Sequence, residues 1–355
     1  MEKKKEINLM RVAVYYNNND IRLEERPVPQ IQEGELLIKV IASGICGSDV
    51  MEWYRIKKAP LVLGHEIAGD IVEVGKGIDK YKKGDRVFVS HHVSCNTCHY
   101  CLTGHTSVCD TLRTTNFDPG GFAEYIRVPK INVDRGTFVL PDSVSYEEGA
   151  FIEPISCCLR GLKLAHFQPG QKILVIGSGM SGLLHIQLAK AFGAGNITAT
   201  DVGEYRLNAA KRFGADEVIS ARDDVPKKMK EINKGMLADL VIICTAAESA
   251  IQQGLQSVDR GGTVLFFAPT NPDVKIPVPL WDIWRNEVTL TTSYAASQLD
   301  IEQSIELIAN RRVNLKDMIT HRFSLKDAGK GFQLAAKAQD SIKVIIEPQR
   351  SFNPG

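Results

Sequence analysis

Apolar positions along this chain change their period midway. From Arg11 to about Val128 they come in short alternating runs broken by turn residues. Val12-Ala13-Val14-Tyr15 is followed by a polar turn at Asn17 to Asp20, then by Ile21 to Glu25, by Pro27 and Pro29, and by the run Leu36 to Ile41. Alternation with frequent turn signals predicts short β-strands. Lys80 to Val89 and Gly120 to Tyr125 each read as a turn that leads into a strand. No helical period of useful length precedes Tyr146, so this part is expected to be β-rich. Glu147 to Leu164 is helical in character, with an expected break at Glu153-Pro154, because a residue before proline is pushed away from helical geometry.

From Gln171 onward strand and helix patterns alternate. Ile173 to Ile176 is a short β-branched apolar run, as buried parallel strands require. Leu183, Leu184, Ile186, Leu188 and Phe192 give an apolar helix that ends at Gly193 and Gly195, and Ile197 to Thr200 reads as the next strand. A helix over Arg206 to Phe213, a strand over Glu217 to Ser220, a helix over Val225 to Asn233, a strand over Asp239 to Cys244 and a helix over Ser249 to Val258 follow. Gly261-Gly262 turns into a strand at Thr263 to Phe267, and Val288 to Thr292 is another strand. The charged tract Arg222 to Lys234 reads as a solvated helix face. This alternation predicts an α/β doubly wound parallel sheet. After Asp300 the pattern changes again. A helix carries Ile301, Ile305 and Ile308, strands lie near Ile319 to Phe323 and at Lys343 to Ile346, and a helix runs from Leu325 to Lys337. The expected organisation is a β-rich domain over 1–155, a parallel-sheet domain over 156–296, and a return of 297–355 to the first domain. Residues 1 to 9 read as a short extension.

The turn after Ile173 to Ile176 carries chemistry. Gly177, Gly179 and Gly182 form G-x-G-x-x-G between strand and helix, and Asp201 closes the next strand about 20 residues further on. Gly177 permits the tight turn, Gly179 lets backbone approach a pyrophosphate, and Gly182 lets helix and strand pack closely. The helix N-terminus offers N–H groups to phosphates. Asp201 suits a ribose diol and repels a 2′-phosphate, which points to NAD. Arg206 lies close enough in sequence to face an NADP phosphate instead, or to be a solvated helix arginine. Ser178, Met180, Ser181, Arg206 and Thr245 complete the candidate cofactor-binding set.

Composition narrows the classes. The 355 residues suffice for two cores, and a net charge of +1 leaves no nucleic-acid footprint. No apolar run approaches the roughly 20 residues of a membrane span. Met1 to Glu6 (MEKKKE) is not followed by an apolar signal-peptide core, so a cytoplasmic location is expected, where thiols stay reduced. The eight cysteines therefore read as ligands or buried thiols. Cys95, Cys98, Cys101 and Cys109, in a lobe over about 91–112, have the close spacing of a closed structural zinc site. An iron–sulfur site shares the C-x-x-C-x-x-C run, but the C-x-x-x-C-P ending is absent. His99 and His105 between them are expected at the surface. Cys46, within Gly44 to Asp49, and His65-Glu66, after Gly64, suit a catalytic zinc with one open position; spacing alone does not separate that reading from core residues.

Taken together, these motifs resemble the zinc-dependent medium-chain dehydrogenases, most nearly the polyol (sorbitol) dehydrogenase branch. The likeness runs from about Met10 to near the end. It is carried by Gly44 to Asp49, Gly64-His65-Glu66, the four-cysteine lobe, Gly84-Asp85-Arg86-Val87 and the glycine triplet, in that order. It implies a GroES-like β-barrel catalytic domain and a Rossmann domain with the active site in the cleft between them. It also implies two zinc ions per chain. The catalytic one takes Cys46, His65 and either Glu66 or Glu153, the latter within Ile152-Glu153-Pro154; Cys157 and Cys158 fit that position less well.

The implied reaction passes hydride from a secondary alcohol to NAD while zinc polarises the hydroxyl and Ser48 accepts its proton. Asp49 would orient His65. Met51 stands where many members carry a relay histidine, so water or the ribose hydroxyl would take the proton onward. Trp53, Tyr54, Arg55, Asn116, Phe117 and Asp118 lie where relatives line the cleft, and their polarity suits a polyol, cyclitol or sugar. The alternatives are simple secondary alcohols, an amino alcohol such as threonine, or a non-catalytic nucleotide-binding zinc protein. A zinc-ribbon nucleic-acid binder lacks the basic face it would need. A homotetramer or dimer is expected from the likeness, paired through the strand near Val288 to Thr292.

Overall fold

The computed structural model describes residues 8–350. It divides into two compact units, one of Met1–Glu153 with Ser297–Ala309 and Leu315–Gly355, the other of Pro154–Ala296 with Asn310–Asn314. Most of the expected N-terminal extension lies outside the described residues, and Leu9 already begins the first strand.

The first unit is built on sheets. Strand Leu9–Asn17 pairs antiparallel with Asp20–Pro27 across the predicted turn, and also with the short strand Leu61–Val62. In the larger sheet, Leu36–Gly44 lies between Glu66–Val74 and Lys343–Glu347, antiparallel to both. Ile319–Ser324 flanks the last of these, and Arg86–Val89 and Thr137–Val139 extend the other side. Strand Tyr125–Val128 adds to Leu36–Gly44. Val12, Val14, Ile38, Ile67, Phe122 and Phe332 meet in one core with essentially no exposure. Burial of each such side chain contributes about 1.5–3 kcal/mol. Phe332 comes from the helix Ala328–Lys337, so the returning tail is part of this core. Helices before Tyr146 are short, the longest being Lys130–Gly136.

The second unit has a six-stranded sheet with every pairing parallel. Its order is Glu217–Ser220, Asn196–Asp201, Lys172–Ile176, Ala238–Ile243, Val258–Phe266, Thr289–Thr292. The chain moves outward from Lys172–Ile176 first to one side and then to the other. The switch point therefore lies at the carboxyl end of that strand, the place where such sheets bind ligands. Helix Val225–Ile232 buries only Val225 and Met229, as a solvated helix face should.

Two local expectations need correction, and one helix was not expected. The helix break falls at Phe151, between Tyr146–Ala150 and Ile152–Leu164, and Glu153-Pro154 sits inside the first turn of the second helix. Proline is tolerated there because its missing N–H has no intrahelical partner to lose. Gly261-Gly262 does not precede a strand but lies within Val258–Phe266, at a register shift where Gly261 takes φ +70°. Helix Leu280–Arg285 has no buried residue, so it leaves no amphipathic period to read.

Gly182 is the packing contact that fixes helix Met180–Ala191 on its sheet. A Cβ there would lie 2.0 Å from the Gly177 carbonyl oxygen. Backbone cannot give way as a flexible side chain can. Gly182→Ala is expected to destabilise the protein by about 1–3 kcal/mol, read as a lower Tm in thermal unfolding; an unchanged Tm would refute the contact.

Candidate active site

The metal-side cluster follows from strand pairing. Gly44 at the end of Leu36–Gly44 pairs with Glu66 at the start of Glu66–Val74. Cys46 and His65 lie just beyond those partners, so the ladder brings them face to face. Ligand atoms of Cys46, His65 and Glu66 all fall within 4.8 Å of one another. Glu153 is not in that group. It occupies the first turn of helix Ile152–Leu164.

Asp49 organises the cluster from below with no solvent exposure. Its Oδ2 accepts the Cys46 N–H at 3.0 Å, and its Oδ1 lies 3.4 Å from both His65 Nδ1 and Arg55 Nη2. Burial opposes charge on Asp49, but the His65 charge and hydrogen bond, Arg55 and the Cys46 N–H hold its carboxyl below the usual range. Burial likewise opposes charge on His65, yet Asp49 and the Cys46 sulfur raise it well above an ordinary histidine. A pocket that favours positive charge so strongly despite burial suits a divalent cation. Glu66, its charge balanced by Lys343, adds an acceptor. Its Oε1 is buried without a hydrogen-bond partner, an arrangement that a cation would satisfy.

Ser48 sits beside this cluster. Its hydroxyl donates towards Cys46 Sγ at 3.4 Å and accepts from Arg55 Nη2 at 3.0 Å, while Arg55 Nε donates to the Ser48 carbonyl at 3.0 Å. Arg55 comes from the short helix Glu52–Arg55, which also carries Trp53 and Tyr54. On the other side, the His91 ring lies 4.8 Å from that of His65 and 3.7 Å from that of His92. Burial, then the charges of His92, His65 and Arg55, push His91 well below an ordinary histidine. Burial, with His65, Arg55 and Lys58, lowers His92 to about 4. Both rings are therefore neutral hydrogen-bonding groups. The sequence marks them only as an adjacent pair after Arg86–Val89, and nothing in their spacing points to this cluster.

Among the expected cleft residues, Asn116 and Asp118 are exposed, and Asp118 lies 3.7 Å from Arg127. The Phe117 ring lies 6.5 Å from that of His91, edge-on. It is buried in the main core, where its apolar ring belongs on transfer grounds.

The four-cysteine lobe is closed. Ligand atoms of Cys95, Cys98, Cys101 and Cys109 lie within 4.8 Å of one another. N–H groups of Thr97 and Cys98 point at Cys95 Sγ from 3.5 and 3.2 Å and lower that thiol to about 5. Burial and a shared hydrogen bond with Cys98 push Cys101 up to about 12. Four sulfurs this close repel one another as thiolates, and a divalent metal removes that conflict. His99 and His105 are exposed. All eight cysteines are free thiols.

In the second unit, Gly177 adopts φ +92° at the switch point, with a Cβ position 3.3 Å from Thr245 Cβ. Helix Met180–Ala191 starts at Gly179 without a side-chain cap, so its first N–H groups are available to an anion. Asp201 accepts the Ser178 N–H through Oδ2 and the Gly203 N–H through Oδ1, both at 2.9 Å. The Ser178 N–H is thereby committed to Asp201. Ser181 offers its carbonyl to His185 Nδ1 at 2.8 Å. Arg206 lies across the glycine turn, its Nη1 2.8 Å from where a Gly179 Cβ would sit. These groups fit a dinucleotide.

Two family models match the chain: the alcohol dehydrogenase GroES-like domain over residues 32–136, and the zinc-binding dehydrogenase domain over residues 182–310. Sorbitol dehydrogenase of Bacillus subtilis (strain 168) is 35% identical over 353 residues, which cover 96% of this chain and 98% of that protein. A Sinorhizobium meliloti 1021 protein described as a zinc-binding dehydrogenase, bound to NADP, superposes with TM-score 0.87 at 27% identity, covering 96% of this chain and 100% of the other. Galactitol-1-phosphate dehydrogenase of Escherichia coli gives TM-score 0.83 at 28% identity, with 96% and 100% covered. With the GroES-like and Rossmann architecture, the clustered Cys46, His65 and Glu66, and the four-cysteine lobe, the chain belongs to the zinc-dependent medium-chain dehydrogenases, in their polyol branch.

Proposed function

We propose that the protein oxidises a secondary alcohol of a polyol, cyclitol or sugar with NAD, at a zinc held by Cys46, His65 and Glu66. The carrying observation is that three-residue cluster with Ser48 and Arg55 against it. The names of the relatives, sorbitol and galactitol 1-phosphate dehydrogenases, favour the same substrate class. Glu66 is preferred to Glu153 as ligand because its Oε1 is the buried atom without a partner. Zinc, when bound, supplies Lewis acidity to the substrate oxygen.

The chain's own residues do the rest. Asp49 fixes the His65 ring and the Cys46 backbone together. Ser48 Oγ has a second lone pair for the substrate hydroxyl, and takes up its proton as the serine's own proton is released. Arg55 keeps Ser48 and Asp49 in register and adds positive charge where negative charge develops. With Met51 in place of a histidine, the proton leaves Ser48 through water. NAD, when bound at the Gly177 turn, would supply the hydride acceptor, and the product would be a ketone. His91 and His92 offer neutral nitrogen atoms for further hydroxyls. The lobe cysteines hold a second, structural zinc. A cytoplasmic location fits reduced lobe thiolates; among the described residues no helix is long and apolar enough to cross a membrane.

Purified protein with added zinc is expected to produce NADH absorbance with one class among polyols, inositols and sugars. Activity confined to simple secondary alcohols or threonine would move the substrate to the alternative class. No activity on any of them, with zinc bound at both sites, would overturn the substrate proposal.

Asp201 supports NAD, because its carboxylate repels a 2′-phosphate. Arg206 beside Gly179 favours a second reading in which NADP is also accepted. Asp201→Ala is expected to lower kcat/KM with NAD by about 10–100-fold, the scale of lost charge-assisted hydrogen bonds, and to narrow the gap to NADP. Equal loss with both cofactors would refute discrimination by Asp201.

Self-association is proposed through strand Thr289–Thr292, which among the described residues ends the six-stranded sheet with an unpaired edge. Leu280, Trp281 and Trp284 beside it are 72%, 66% and 67% exposed, an apolar patch that favours a partner. A dimer needs only this edge, whereas a tetramer needs a second face. Light scattering should give at least a dimer, and Leu290→Lys with Trp284→Ser should give the mass of one chain. A monomeric wild type would remove the proposal.

A further inference from the structure

Lys343 has no expected role in the sequence, yet it is among the most completely buried side chains of the protein. It begins strand Lys343–Glu347, whose Ile345 and Ile346 pair with Gly44 and Ser43. The Ile45 N–H donates to the Val344 carbonyl at 2.9 Å. This ladder delivers the ammonium directly beneath the metal-side cluster. Its Nζ donates to Glu66 Oε2 and lies 3.3 Å from the Ile45 carbonyl, with the Phe151 ring 5.5 Å away. Neither Lys343 nor Glu66 has any side-chain exposure. Gly44 makes the room: a Cβ there would lie 2.1 Å from Glu66 Oε2 and 2.7 Å from Lys343 Cε.

A fully buried ion pair is a poor device for stability, since apolar residues of the same volume do as well or better. The particular contacts of this one suggest another use. Ile45 immediately precedes Cys46, and Glu66 immediately follows His65. A single ammonium therefore ties together both segments that carry the clustered ligand atoms. It also occupies one Glu66 oxygen and leaves the other, Oε1, without a partner.

We propose that Lys343 is a positioning residue for the catalytic zinc, holding Glu66 Oε2 so that Oε1 faces the cation beside Cys46 and His65. This role rests on the reading that those three residues hold zinc. It makes the returning tail of the chain a contributor to the metal centre.

Zinc content and affinity of the full-length chain test this without relying on turnover. The wild type should hold two zinc ions, one at the cluster and one in the lobe. Lys343→Met should weaken cluster zinc by about 10–100-fold in chelator competition, the usual effect of losing a partner that orients a ligand. The lobe zinc should remain, and its retention shows that the first unit is folded. Lys343→Arg should restore most of the affinity. In cobalt-substituted protein, Lys343→Met should shift the visible absorption of the cluster ion as Glu66→Gln does. Two zinc ions in Lys343→Met with unchanged affinity and an unchanged cobalt spectrum would overturn the positioning role while leaving the site intact. A wild type with zinc in the lobe alone would overturn the site itself and the role with it. Should Lys343→Met fail to fold, Lys343→Gln and Lys343→Arg carry the same comparison, and equal affinity in both would overturn the role.

Discussion

Two opposite charges, on Glu66 and Lys343, lie with no solvent exposure under the loop that carries Cys46. Removing water from both is costly, and removing either partner alone would leave an uncompensated buried charge. The first unit is therefore constrained to keep them together. Strand Lys343–Glu347 must pair with Leu36–Gly44, and Gly44 must stay without a side chain. The chain thus cannot complete its metal-side cluster until its last strand has docked.

Around that pair the site is held by shared acceptors rather than by isolated bonds. Asp49 serves the Cys46 backbone, His65 and Arg55 at once. Arg55 in turn serves Asp49 and both oxygen atoms of Ser48. Displacement of one member disturbs the others, so the geometry is stiff where proton movement needs it. Asp49 is backed by donors on three residues, which hold its carboxyl below the usual range despite burial.

What could be read in advance follows from whether the information is local. The glycine triplet and Asp201 are set by one strand–turn–helix–strand passage, and the lobe cysteines by a single loop; both patterns are legible in spacing. Cys46 and His65 are not, because their meeting depends on the pairing of Gly44 with Glu66, which only the folded ladder fixes. The ordered set of motifs supplied that link by resemblance. Lys343 was invisible for the same reason: a lysine at the head of an apolar strand says nothing of the acid it will meet. Glu153-Pro154 misled because the rule for residues before proline weakens within the first helical turn.

The nucleotide unit solves a different problem with different means. Its anion site is made of backbone, with Gly177 turned to φ +92° and Gly182 pressed against the Gly177 carbonyl. Such a site would offer a phosphate fixed backbone dipoles rather than a titrating side chain. Discrimination is left to the side chains at its margin. Asp201 is itself held in place by two backbone N–H groups. Arg206 reaches the same turn from helix Glu204–Arg212. The metal-side cluster, by contrast, is tied into the sheet through the Lys343–Glu66 ion pair and the strand that carries Lys343.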